Sequence, residues 1–193
     1  LDEQAFKLFN HQGKFLCNIG RTGQGPGEYK VLYGATLNEK FDKICLAPFY
    51  GKSLLEYNFR GEFLQSIDVS VIVKGQVRYQ PDGSLLLTHL QFANSPTFQY
   101  LHVDTTGIKT YINDDSKLIS SIDEEGNFIG FNNEIWAGNN TSEFTYHIFE
   151  TDTLYRFNPQ THKTYPRFAL NNFHGRYLSL IHISEPTRHS LIS

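Results

Sequence analysis

One segment occurs twice in this chain, and that echo constrains the fold more than any bulk property does. Residues 5–19 read AFKLFNHQGKFLCNI and residues 53–67 read SLLEYNFRGEFLQSI. Phe9 stands over Tyr57, Asn10 over Asn58 and Gly13 over Gly61. Phe15-Leu16 stands over Phe63-Leu64 and Ile19 over Ile67, all at an offset of 48. Tyr100–Ile108 forms a fainter third copy, with Gly107 lying 46 residues beyond Gly61. A fourth, fainter still, runs through Leu154–Asn158 and Thr164–Phe168. The repeated unit is a hairpin: an aromatic ends one strand, Asn-x-x-Gly turns the chain, and an apolar residue opens the next. Asn or Asp accepts backbone bonds locally, and Gly takes the positive φ that such a turn needs. Asn10, Gly13, Asn58, Gly61 and Gly107 are therefore the expected turn residues.

Near-alternation of apolar and polar residues on both sides of these turns predicts strands. The map places strands at 5–10 and 14–19, the outer half of a first blade. A second set covers 33–38, 43–48, 53–58 and 62–68. A third covers 75–80, 84–90, 97–104 and 108–112. Segments 127–131, 134–137, 145–150, 153–158 and 163–169 crowd into a fourth. Asn38–Asp42, Pro81-Asp82-Gly83 and Asn132-Asn133 supply further turns, and no helix is predicted. Aromatics are 15% of the chain, with 16 Phe and 11 Tyr, which suits pleated, half-buried surfaces. Four strands per forty-odd residues is the period of a propeller blade. The expected class is all-β: a partial β-propeller of four-stranded antiparallel blades, about three and a half of an expected six. A plain β-sandwich gives no reason for the echo.

Between the first two copies lies Ile19-Gly20-Arg21-Thr22-Gly23-Gln24-Gly25-Pro26-Gly27-Glu28-Tyr29. This run resembles the blade-to-blade connection of NHL-type propellers, in the version found in six-bladed proteins of Gram-negative envelopes. The preceding Gly13-Lys14-Phe15-Leu16 and the following Gly34-Ala35-Thr36-Leu37 resemble that family's strands. The likeness covers residues 4–68 well and 97–170 loosely. It departs at Ile44-Cys45-Leu46-Ala47-Pro48, where many such blades carry Asp. The resemblance implies a periplasmic or envelope-anchored lipoprotein. It assigns Gly20, Gly23, Gly25, Pro26, Gly27, Glu28 and Tyr29 to a structural blade connector. A phosphate loop is not expected here, because the run leads into Tyr29–Tyr33, which reads as β, and Glu28 stands where a third Gly should be.

Catalytic patterns are missing from the sequence: no H-E-x-x-H, C-x-x-C or G-x-S-x-G occurs. The expected inner strands, Gly34–Leu37, Gln76–Tyr79 and Phe128–Phe131, carry Arg78 as their sole charge. His102, His147 and His162 share no metal-ligand spacing. His89 reads as a strand histidine and Trp136 as packing. Asp114-Asp115 and Asp123-Glu124-Glu125 lack the alternating oxygens of a calcium loop. Asp104-Thr105-Thr106 and Asp152-Thr153-Leu154 resemble short O-glycosylation motifs. Cys17 and Cys45 read as small buried hydrophobes. With a net charge of −3, nucleic acid is not an expected partner. No run approaches the roughly 20 apolar residues of a membrane span.

No catalytic, cofactor or metal residues are therefore assigned, and no cofactor is expected. The expected role is a binding or scaffold module for a protein, peptide or glycan. The alternative is an enzyme of the NHL-like lyase or lactonase type whose site lies in other blades. Residues 1–177 are expected to form the propeller domain. Leu178–Arg188 resembles the translation of a transposon-type sequencing adapter, so 178–193 is expected to be a foreign tail. The chain also lacks Met, and the gene is expected to extend beyond both ends.

Overall fold

The computed structural model describes residues 5–49, 51–70, 72, 74–88, 100–112, 125, 135–137, 144–148, 153–158 and 160–169. Strands β1 (Phe6–Phe9) and β2 (Phe15–Ile19) form an antiparallel pair. A short parallel bridge follows, between β3 (Arg21–Thr22) and β4 (Glu28–Tyr29). Three four-stranded sheets come next, each antiparallel and each in chain order. The second blade holds β5 (Leu32–Asn38), β6 (Lys43–Pro48), β7 (Ser53–Tyr57) and β8 (Phe63–Asp68). The third holds β9 (Gln76–Tyr79), β10 (Leu85–Thr88), β11 (Tyr100–Val103) and β12 (Lys109–Ile112). The fourth holds β13 (Ile135–Ala137), β14 (Phe144–Ile148), β15 (Thr153–Asn158) and β16 (Lys163–Ala169). The only helical element among the described residues is a single 3₁₀ turn at Glu39–Phe41.

Burial explains why these sheets stand side by side. A strand's side chains alternate between two faces, and the central strands here bury both. In β6, Ile44 and Leu46 join a core with Leu8, Ile19 and Tyr29 of the preceding chain. Their neighbours Cys45 and Ala47 join a different core, with Val77, Tyr79, Leu85 and Leu87 of the third blade. Strand β7 divides in the same way: Leu55 and Tyr57 go to the first core, Leu54 to the second. In β11, Leu101 and Val103 face the second blade. Tyr100 instead stacks on Phe157 of the fourth, ring centroids 4.4 Å apart, and meets Tyr146 edge-on at 5.3 Å. The second and third blades are thus each sandwiched between two neighbours, and the sheets are successive blades of a β-propeller. The fourth strand of a blade lies at the rim; β8 and β16 are mostly exposed, and β12 is exposed at alternate residues. Pro166, which cannot donate to a ladder, sits on one of these edges.

The first strands, β5 and β9, pack against each other. The Tyr79 N–H reaches Thr36 Oγ1 at 3.2 Å. A Cβ on Gly34 would lie 2.5 Å from the Gly75 carbonyl oxygen, so only glycine allows this approach. In the fourth blade β13 packs against β9, and the expected strand at 127–131 lies outside the described residues. Cys17 and Cys45 are free thiols, and burial pushes the Cys45 thiol well up.

Packing on both faces makes β7 far more sensitive than the rim. Leu54→Ala is expected to cost about 2–5 kcal/mol. Leu64→Ala, on the exposed outer strand, should change stability by no more than about 0.5 kcal/mol. Urea unfolding of the two variants checks this contrast.

Candidate functional site

The connector folds around its own carboxylate. Glu28 accepts the backbone N–H groups of Gln24 (2.9 Å) and Gly25 (2.8 Å) and the Arg21 guanidinium. The Gly25 bond, then Arg21, holds its carboxyl below the usual range. A Cβ on Gly23 would run into that carboxylate. Pro26 and Gly27 turn the chain, and the Tyr57 hydroxyl donates to the Gly27 carbonyl. The Tyr29 hydroxyl donates to the Ile19 carbonyl (2.8 Å) and accepts the Phe6 N–H (2.7 Å). Gly20 is closed in by the Tyr29 and Tyr57 rings. Two of the N–H groups that a phosphate would need are already taken by Glu28.

The repeat turns share one geometry. Asn10 Oδ1 accepts the N–H groups of Gln12 and Lys14. Asn58 Oδ1 does so for Arg60 and Glu62, and Asp104 Oδ1 for Thr106 and Ile108. Gly13, Gly61 and Gly107 take φ of +77°, +82° and +88°. In the fourth copy Asn158 Oδ1 bonds Gln160 and Thr161, and the left-handed residue is His162 at φ +53°. This turn is one residue longer, which is why its echo in the sequence is faint.

Antiparallel order brings the β9–β10, β11–β12 and β15–β16 turns to one end of the blades. Between the third and fourth blades they frame a groove of about 630 Å³, bordered by Gln80, Asp82, His102, Asp104, Asn158 and His162. The His102 and His162 rings lie 5.5 Å apart. Burial, then His162, pushes the His102 imidazole below its ordinary value, which favours the neutral ring. The carboxyls of Asp82 and Asp104 are held low, foremost by the Ser84 and Thr106 hydroxyls. Gln80 is only 4% exposed, yet neither of its amide atoms has a protein partner. His102 Nε2 is buried and unpartnered as well. An unmet buried polar group costs about 1–3 kcal/mol, a cost that an ordered water or a ligand group removes. No group of three His, Cys, Asp or Glu fit to hold a metal occurs among the described residues.

Sequence reasoning missed Gln80 and Glu56. Gln80 reads as the last residue of a strand, before the Pro81-Asp82-Gly83 turn. Glu56 is 2% exposed in the alternate position of an apolar strand. It accepts Tyr79 Oη–H, Gln65 Nε2 (2.6 Å) and Lys43 Nζ (3.2 Å), and burial pushes the Tyr79 hydroxyl up. Glu56 and His102 each stand two residues before a turn Asn or Asp, a signal that was available in the aligned repeats. His147 lies on β14, and Thr153 is buried. Asp104 is occupied as a turn cap. His89, Asp114, Asp115, Asp123, Glu124, Phe128–Phe131 and residues 178–193 lie outside the described residues, as does the side chain of Trp136.

The sequence matches the family described as "Domain of unknown function (DUF4934)" over residues 1–181. No curated protein is similar to it in sequence. Among solved structures it resembles a protein of Bacteroides fragilis NCTC 9343 designated exported. That match has 19% identity and a TM-score of 0.59, covering 86% of this chain and 45% of the other. It also resembles an auxiliary nutrient binding protein of Bacteroides thetaiotaomicron VPI-5482. There the identity is 12% and the TM-score 0.51, over 75% of this chain and 32% of the other. A DUF4221 member from Bacteroides vulgatus ATCC 8482 has 15% identity and a TM-score of 0.52, over 90% and 52%. At these identities the likeness is one of fold. The chain spans less than half the length of the first two.

Two outcomes are expected from this geometry. Gly13→Ala meets nothing within 4 Å, whereas a Cβ on Gly61 would lie 2.5 Å from the Asn18 carbonyl oxygen. Gly13→Ala should cost about 1 kcal/mol, from the positive φ alone. Gly61→Ala should cost clearly more, as a thermal melt will show. For His102 the folded pKa is lowered, so the folded state binds fewer protons than the unfolded chain. Its contribution is intact above the ordinary value of 6.5 and is lost as pH falls below it. Urea unfolding at pH 7.5 and 5.5 should show a steeper loss for the wild type than for His102→Gln.

Proposed function

Since the chain belongs to the DUF4934 family, whose description assigns no activity, we propose its role from its geometry: a binding or scaffold propeller of the bacterial envelope. The groove between the third and fourth blades is its ligand site. The observation that carries this reading is the Gln80 carboxamide, buried in the groove wall with both atoms unpartnered. A fold that leaves such a group unmet gives up stability, and a ligand that satisfies it recovers that loss as affinity. The connector is proposed to be structural, since its polar groups are turned inward on Glu28.

An exported, envelope-anchored setting and a six-bladed ring follow the resemblance of the Gly20–Tyr29 connector. The exported and nutrient-binding designations of two proteins of similar fold support the exported setting. The partner is a protein, peptide or glycan, and the interaction is non-catalytic.

Thermal-shift screening of the full-length protein against saccharides and peptides tests this. A ligand that raises the melting temperature of the wild type, but not of Gln80→Ala, is the expected result. A hit that shifts both equally would place binding elsewhere. Mass-spectrometric detection of a converted ligand would replace the binding reading with an enzymatic one.

A further inference from the structure

We infer that the groove between the third and fourth blades takes a neutral, polyhydroxylated ligand, a glycan residue, whose hydroxyls pair with the Gln80 carboxamide and His102. This inference rests on the groove being the binding site, and it adds the chemistry of what binds there.

The argument starts from the unmet atoms. Gln80 offers one carbonyl acceptor and one NH₂ donor, both buried. His102 Nε2 is also buried and unpartnered. With the imidazole neutral, as its burial favours, the ring adds no formal charge. The wall thus presents donors and acceptors mixed. An anion accepts only, so it would leave the amide oxygen of Gln80 unpaired, and it would face Asp82 and Asp104 as well as Arg156. An ammonium group donates only and would leave the Gln80 NH₂ unpaired. A hydroxyl both donates and accepts. Two neighbouring hydroxyls on a sugar ring can meet the oxygen and the nitrogen of one carboxamide together. A trans peptide group points its N–H and C=O in opposite directions, so a peptide meets both atoms only by laying two successive units of an extended strand along the carboxamide. Asp82, Asp104 and Asn158 border the same groove. Their oxygens are held in fixed turn positions, each bonded to its own turn's N–H groups. They add rigid acceptors around the central pair, and a groove of about 630 Å³ is of the size that holds a small-molecule ligand.

The test is isothermal titration of the full-length protein at pH 7.5. The probes are neutral mono- and oligosaccharides of glucose, galactose and mannose, with glucuronate and an end-capped alanine peptide as comparators. Variants are Gln80→Ala, Gln80→Glu, His102→Gln and the rim control Leu64→Ala, each checked by thermal melt. A neutral saccharide should bind the wild type and Leu64→Ala equally. Gln80→Ala and Gln80→Glu should each weaken it at least about tenfold, the loss expected for an unpaired buried hydrogen-bonding group. Should Gln80→Ala not fold, Gln80→Glu and His102→Gln carry the comparison. Binding of the peptide or of glucuronate in preference, with loss in the Gln80 variants, would overturn the glycan assignment and leave the groove as the site. Saccharide binding unchanged in every folded groove variant would overturn the groove itself. A folded wild type that binds none of the neutral saccharides would overturn the ligand class.

Discussion

Everything in this molecule depends on central strands that bury both of their faces. A sheet with one buried face can stop at a single partner, but a sheet with two must be flanked on each side. Ile44 and Leu46 go to one core and Cys45 and Ala47 to the next, so the second blade belongs to two interfaces at once. At about 1.5–3 kcal/mol for each fully buried aliphatic side chain, neither interface is dispensable. Radial stacking follows from that alternation.

The same stacking decides where chemistry can sit. Blade faces meet tightly through their middle strands and part at the turns, which leaves clefts at the turn-bearing end. One such cleft, lined by Lys43, Glu56 and Gln65, lies between the second and third blades, and the groove lies between the third and fourth; the aligned position two residues before the turn distinguishes them. Between the second and third blades it holds Glu56, whose carboxylate is met by Tyr79, Gln65 and Lys43. Between the third and fourth it holds His102, whose Nε2 is left unmet beside Gln80. In one cleft the buried carboxylate is satisfied from within the protein, and in its neighbour Gln80 and His102 are not.

The turns were the most legible part of the chain, because their geometry is local. Asn10 and Gly13, or Asn58 and Gly61, lie within four residues of each other, and the bonds they form do not depend on the rest of the fold. The fourth copy was harder to read, since its turn is a residue longer and puts His162 where Gly is expected. The connector was legible as a loop, but its interior was not. Glu28 looks like a surface residue until the chain is seen to wrap around it.

The groove was not legible, for reasons of distance. Gln80 and His162 come from two turns and His102 from strand β11, spread over two blades, and nothing local signals that they meet. Sequence determined the strand periodicity, the turn positions and the blade order, because each rests on alternation and on φ preferences within a few residues. Tertiary structure alone decided which polar side chains are satisfied. Satisfaction depends on what the neighbouring blade presents across the interface, and that partner is fixed only when the blades pack.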